Sequence, residues 1–292
     1  MTANNAVLTA KEVVQDVMTL FSLPDIYYQV EQMIKDPRFT AVDIGEVIAK
    51  DPALAARLLK LVNSSFYGFQ ARIATISRAI TIVGVQDLQS LILSTSVIDT
   101  FECISSDLVD MTDFWLQSIN CAVIAKALAK ENAVLHGERL FLAGLLHKIG
   151  TLVLYQKLPD LSSKVLQIAG NDASLVAAVE QEIIGFTFAE VGSELIKAWQ
   201  LPDSLAEAIA CQLSPDHALK YRLDAQLLHI ASIFCTALVY DEQDIIELWR
   251  DIPLEYRSVV NIEEQALVAL LVQVQEDVAA VFGLLKPGKK FY

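Results

Sequence analysis

Glycine and proline are scarce in this 292-residue chain, with eleven and eight copies. Few positions are therefore forced to turn sharply. With abundant Ala, Leu, Val and Ile, the composition favours helices joined by short turns. Period-two alternation over six or more residues is missing, so no substantial sheet is expected. Positive charge is also short: 22 Lys and Arg face 36 Asp and Glu, a net charge of −14. Tracking a nucleic-acid backbone needs clustered cations. The one cluster here is the tail Lys286-Pro287-Gly288-Lys289-Lys290, and a short terminal run of this kind reads as solvated. Nucleic acid is thus not an expected partner. Cysteine is limited to Cys103, Cys121, Cys211 and Cys235, with no C-x-x-C pair. Each lies in or beside apolar helical sequence, where a free thiol packs as a small hydrophobe. No secretory leader is legible at the N-terminus, so a reducing cytoplasm is the expected setting.

Long hydrophobic runs are lacking despite a mean hydropathy of +0.42. Leu227 to Tyr240 carries no Asp, Glu, Lys or Arg but is only 14 residues long, and Ala266 to Leu285 is interrupted by Gln273, Gln275, Glu276 and Asp277. Both read as core helices, and no membrane is expected. There is no G-x-S-x-G elbow and no Walker loop. His136 and His217 flank expected loops and have no obvious nucleophile partner.

What is present is helix after helix. Thr9 with Glu12 forms a capping-box signal for a helix to about residue 20. Helices follow over 24–35 and 40–50. Asp51 then caps the next, with Pro52 at its first position. Its Leu54, Leu58, Leu61 and Val62 make one apolar face. It ends in the turn-rich Asn63-Ser64-Ser65-Phe66-Tyr67-Gly68. Thr75 or Ser77 caps a short helix stopped at Gly84, where positive φ suits a helix end. Another covers 85–100. The pattern lapses between Phe101 and Asp110, which places a boundary near residue 105: a lobe over 1–105 and a second over 106–292, the latter with a C-terminal helix and the short basic tail. Further helices are expected over 113–130, 138–156, 159–169, 173–184, 188–200, 202–213, 223–240 and 262–282.

Two constellations carry more than helix content. The first is the run Asp51-Pro52-x-Leu54-x-x-x-Leu58-Leu59-x-x-x-Asn63-Ser64, followed by Ala79-Ile80-x-x-x-Gly84-Val85-x-x-Leu88. In that order these elements closely resemble the N-terminal lobe of the HDOD family, the HD-related output domain of bacterial signalling proteins. Asn63 and Ser64 read as turn-shaping residues rather than ligand contacts. Ala79 to Leu93 also resembles a helix-turn-helix superficially. Its second helix offers Gln86, Asp87, Gln89 and Ser90 but no Lys or Arg, so DNA readout is discounted.

The second constellation resembles the HD superfamily, whose catalytic members are metal-dependent phosphohydrolases. Phe114-Trp115-Leu116-Gln117 puts Gln117 where the family has a metal-binding His. The His-Asp doublet becomes His147-Lys148. Phe188 stands at another His position. Trp199-Gln200-Leu201-Pro202 matches the family turn. A His pair beyond it appears as Cys211-Gln212, and the final Asp falls at Ser232. Only His147 survives of the implied ligands. Lys148 brings a cation with no lone pair to the doublet. A unit charge about 4 Å from a divalent ion costs roughly 8 kcal/mol at an effective dielectric near 20.

The resemblance therefore implies an all-α, two-lobed HDOD fold with a vestigial HD-like second lobe. It implies no catalytic residue, no metal and no cofactor. A non-catalytic signalling module that acts through contacts with other signalling proteins is the leading expectation. Two alternatives stand beside it: a nucleotide or anion sensor using Lys148 in the degenerate pocket, and a phosphohydrolase with a rebuilt site. His229, three residues before Ser232, shares its helical face and is expected near His147. A transition-metal set of His147, His229 and Cys211 is a minor reading of the same pocket.

Overall fold

The computed structural model describes residues 8–101, 104, 107–135, 137–170, 172–236, 241–260 and 262–286. Cys103, His136, the expected lobe boundary at residue 105, the last turn of the helix expected over 223–240, and residues 287–290 of the basic tail lie outside them. Seventeen α-helices occur among the described residues, and no strand. They are α1 (Ala10–Val17), α2 (Asp25–Lys35), α3 (Ala41–Ala49), α4 (Pro52–Val62), α5 (Ile76–Val83), α6 (Val85–Phe101), α7 (Met111–Glu131), α8 (Glu138–Leu146) and α9 (Ile149–Lys157). The remainder are α10 (Pro159–Ala169), α11 (Val176–Ile183), α12 (Phe188–Ala198), α13 (Asp203–Cys211), α14 (Arg222–Phe234), α15 (Glu242–Asp251), α16 (Leu254–Arg257) and α17 (Glu264–Leu285). The chain folds all-α, as its residue pattern implies.

Local chemistry sets most helix starts. Thr9 and Glu12 close a capping box on α1, Thr40 and Asp43 one on α3, and Thr187 and Glu190 one on α12. Each satisfies two backbone donors that a helix start leaves open. The Asp51 carboxylate accepts the Ala53 and Leu54 amides, with Pro52 opening α4. Thr75 caps α5, and Gly84 ends it at φ +99°. At that angle an L-side chain is strained, and α6 leaves at a bend of 119°.

Asn63 fastens the loop between α4 and α5. Its Nδ2 donates to the carbonyls of Leu59 and Ile73 at 2.7 and 2.8 Å, and its Oδ1 accepts the Ile73 amide at 2.7 Å. Ser64 Oγ donates to Leu61 O at 2.6 Å. Both side chains thus serve the turn that follows α4.

Helices α2 to α6 pack on one another, α7 to α9 and α12 to α14 form a second group, and α6 rests on α8. One apolar core runs through both groups. The ends of the chain cross between them. Helix α1, grouped by sequence with the first lobe, packs on α9 and α12, while α17 lies against α4, α7 and α15. Helix α17 is long and apolar enough to cross a membrane. Its stripe Leu267, Leu271, Val274, Val278, Val281 and Leu285 is buried, so one face of the helix packs into the core.

Three expectations need correction. The helix expected over 138–156 is broken at His147-Lys148, where Lys148 takes φ −106°, ψ 12°. The helix expected over 173–184 begins as a short 3₁₀ turn, Ala173–Leu175, before α11. Helices α15 and α16 had no sequence counterpart, because their polar residues mask a narrow apolar side: Ile245 and Trp249 are buried in α15.

Candidate functional site

Two glycines determine where the His147-Lys148 break can sit. A Cβ on Gly144 would come within 2.5 Å of Ala122 Cα and 2.7 Å of Cys121 C, both backbone atoms of α7. A Cβ on Gly150 would come within 2.0 Å of Phe188 O and 2.5 Å of Gly192 N, on α12. The missing side chains let α8 lie on α7 and α9 on α12 at backbone contact. The doublet between them is pressed into the centre of the second group.

His147 is 1% exposed. Its Nδ1 donates to Gly144 O at 2.7 Å, and Nε2 lies 3.8 Å from Cys235 Sγ. From there a chain of hydrogen bonds returns to its start. Gln212 Nε2 donates to His147 O (2.7 Å) and to Ile209 O (2.9 Å). His229 Nδ1 donates to Gln212 O at 2.7 Å, Ser232 Oγ to His229 O at 2.7 Å, and Cys235 Sγ sits 3.2 Å from Ser232 O. His147, Gln212, His229, Ser232 and Cys235 therefore close a ring. Burial holds the His229 imidazole below its ordinary value, against the Gln212 bond. Its ring also meets Tyr256 edge-on, with centroids 5.1 Å apart.

The remaining HD positions border this ring or stand in adjoining helices. Gln117 is half-buried on α7, one turn before Cys121. Lys148 is half-buried and makes no ion pair among the described residues. Phe188 is buried at the first turn of α12, and its N–H donates to Glu180 Oε2 at 2.7 Å. Cys211 is half-buried at the end of α13, its thiol pushed up by burial and then by Glu207. Trp199 Nε1 donates to Phe21 O at 2.6 Å, and Pro202 opens α13.

The minor metal reading of His147, His229 and Cys211 is not what the fold assembles. His229 is engaged by Gln212 and Tyr256. The donors that converge with His147 are Cys121 and Cys235, with ligand atoms all within 4.8 Å of one another. Burial drives the Cys121 thiol well above the cysteine range, with the hydrogen bond to Cys235 adding to it. Cys235 is held well below that range, first by the bond from Cys121 and further by His147 and Lys148, against burial. Sequence reading missed this pair because cysteine in apolar helix reads as core. A spacing signal was there: Cys121 lies four residues after Gln117 and Cys235 three after Ser232, each one turn from a degenerate ligand position.

A two-metal hydrolase centre needs several imidazole and carboxylate ligands. Gln117, Lys148, Phe188, Cys211, Gln212 and Ser232 do not provide them, and the ring commits Gln212 and Ser232 to backbone partners. The residues present do not fit that centre.

The HDOD domain profile matches residues 20–215. The chain belongs to the HDOD family. A Treponema pallidum (strain Nichols) protein described as uncharacterized is 28% identical over 199 residues, which is 67% of this HDOD chain and 38% of that protein. The chain thus spans well under half the length of this relative. A Shewanella amazonensis SB2B structure with the provisional name phosphohydrolase has a TM-score of 0.75 at 23% identity, covering 94% of this chain and 97% of that one. An HDOD domain protein of unknown function from Geobacter sulfurreducens has a TM-score of 0.73 at 21% identity, covering 93% and 98%. These structures share the HDOD fold with this chain.

Proposed function

We propose that this HDOD chain is a non-catalytic regulatory module acting through protein contacts. The observation that carries the reading is the hydrogen-bond ring around His147: groups at former ligand positions are engaged with backbone carbonyls, and the surviving His is buried. The family's place among signalling output domains supports a regulatory role. A candidate contact surface supports the second half. Glu207 accepts the Leu219 and Tyr221 amides at 2.8 and 2.7 Å, which fixes the loop before α14 with Leu219 91% exposed. Tyr256 Oη donates to Asp216 Oδ2 at 3.0 Å, tying in the segment that carries Leu254, 71% exposed. Leu219 and Leu254, on two separately pinned segments, are the contact points we assign to a protein partner.

The test is turnover of phosphomonoester, phosphodiester and cyclic-dinucleotide substrates with Mn²⁺ or Mg²⁺. No turnover above buffer is expected, for wild type and Lys148→Asp alike, since restoring one ligand leaves the others missing. Metal-dependent turnover lost in His147→Ala would replace the reading with a rebuilt hydrolase. Isothermal titration with nucleotides covers the sensor alternative: heat abolished by Lys148→Ala would favour it.

A further inference from the structure

We propose that Cys121, His147 and Cys235 form a binding site for one thiophilic d¹⁰ metal ion, Cu(I) or Zn²⁺, through two sulfurs and one nitrogen. The donors come from three elements: the middle of α7, the α8–α9 break, and the residue ending α14. With bonds of about 2.3 Å to sulfur and 2.0–2.1 Å to nitrogen, a three-coordinate ion spaces S and N about 3.7 Å apart. Cys235 Sγ and His147 Nε2 are 3.8 Å apart.

The imidazole is already set for ligation. Gly144 O only accepts, so the 2.7 Å contact places the His147 proton on Nδ1. In the neutral ring Nε2 then carries the lone pair, 3.8 Å from Cys235 Sγ. A ring N–H held by a backbone carbonyl is the usual outer support of a metal-binding His. The backbone of Ala122, beside Cys121, lies where a Cβ on Gly144 would have to go, so the support and one sulfur donor are registered by the same close approach. Asn120 Nδ2 donates to Cys235 O at 3.3 Å and holds the end of α14 on α7.

Donor chemistry narrows the ion. Two thiolates and an imidazole without a carboxylate favour soft or borderline ions and disfavour Mg²⁺, Ca²⁺ and Mn²⁺. Charge is balanced as well: two buried thiolates alone would be costly, whereas Cu(I) leaves a single negative charge beside Lys148 and Zn²⁺ leaves none. Loading forms two metal–sulfur bonds and one metal–nitrogen bond, and each sulfur that still carries a proton releases it to solvent as its S–H bond breaks, with no change of oxidation state. Both sulfurs are fully buried and His147 nearly so, so the ion enters as the chain folds. Of the three donors only His147 stands at an HD ligand position, and both sulfurs lie one helical turn from one, so the site overlaps the lost hydrolase centre with a different donor set.

The experiment produces the full chain in cells supplied with copper or with zinc, followed by anaerobic purification under a non-chelating reductant and metal counting after desalting. One equivalent is expected from one of the two supplies, which identifies the ion. It should fall below a tenth of an equivalent in the Cys121→Ser/Cys235→Ser double variant and persist in Cys211→Ser. X-ray absorption on the loaded wild type needs no variant to fold: a first shell of two sulfurs and one nitrogen is expected. Substoichiometric metal from both supplies, an equivalent retained by the double variant, or a first shell of oxygen and nitrogen alone would each overturn the site.

Discussion

Glu180 is a buried carboxyl tied to the backbone of the following helix. It is 3% exposed, and its carboxylate caps the start of α12 by accepting the Phe188 N–H. Burial raises its pKa to about 7, against that bond, with Glu190 adding to the rise. The folded state therefore binds a proton more readily than the unfolded chain, whose carboxyl titrates near 4.5. This group's contribution to stability is fully present below about pH 4.5 and is lost as pH rises through about 7. A shift of this size is worth about 3 kcal/mol. Urea unfolding at pH 5 and pH 8 should show the decline in wild type and a much flatter profile in Glu180→Gln, which keeps an acceptor for Phe188. Equal pH dependence in the two proteins would remove Glu180 as its source.

At the scale of elements, the glycines divide into those whose helix neighbours need them and those without such a demand. Gly150→Ala drives a methyl into Phe188 O and should destabilise by about 3 kcal/mol or more, because backbone on both sides must separate. Gly283 lies within α17 with nothing within 4 Å of an added Cβ. Gly283→Ala should stabilise by about 0.5–1 kcal/mol through backbone entropy. Chemical denaturation of the two variants tests the contrast, and similar effects would undo it. The same distinction explains what the sequence disclosed. Helix starts at Thr9, Thr40, Asp51 and Thr75 were legible because their caps are local bonds between residues two or three apart. The end of α5 at Gly84 was legible from backbone preference. The break at His147-Lys148 was not, since both residues are acceptable inside a helix and the interruption comes with packing on α7 and α12. The ring was half legible: family positions led to His147, Gln212 and Ser232, and helical phase added His229. The two sulfurs required the fold, because their meeting depends on where three distant segments cross.

Across the whole molecule, two seams join the helices before and after residue 105. In one, Lys126 Nζ sits 3.9 and 4.2 Å from the ring centroids of Phe66 and Tyr67 and 2.5 Å from Glu138 Oε1. In the other, Phe21 stacks on Phe101 at 4.4 Å, and Phe101 meets Trp199 edge-on at 6.2 Å. Glu138 is 4% exposed, and burial lifts its carboxyl despite Lys126. Removing the cation alone in Lys126→Met should cost about 3–5 kcal/mol at neutral pH, since a buried carboxylate loses its counter-charge. With one core through both groups, tryptophan fluorescence and far-ultraviolet circular dichroism should trace the same unfolding curve. Two separated transitions would mean that the seams do not couple the halves. The closed ring around His147 has a consequence on a slower clock. Each member holds the next, so opening one bond displaces its neighbours. Amide protons near residues 147, 212 and 232–235 should exchange with solvent as a single late set, at a rate governed by large-scale opening. The place where a hydrolase would admit its substrate is then among the slowest parts of this molecule to breathe.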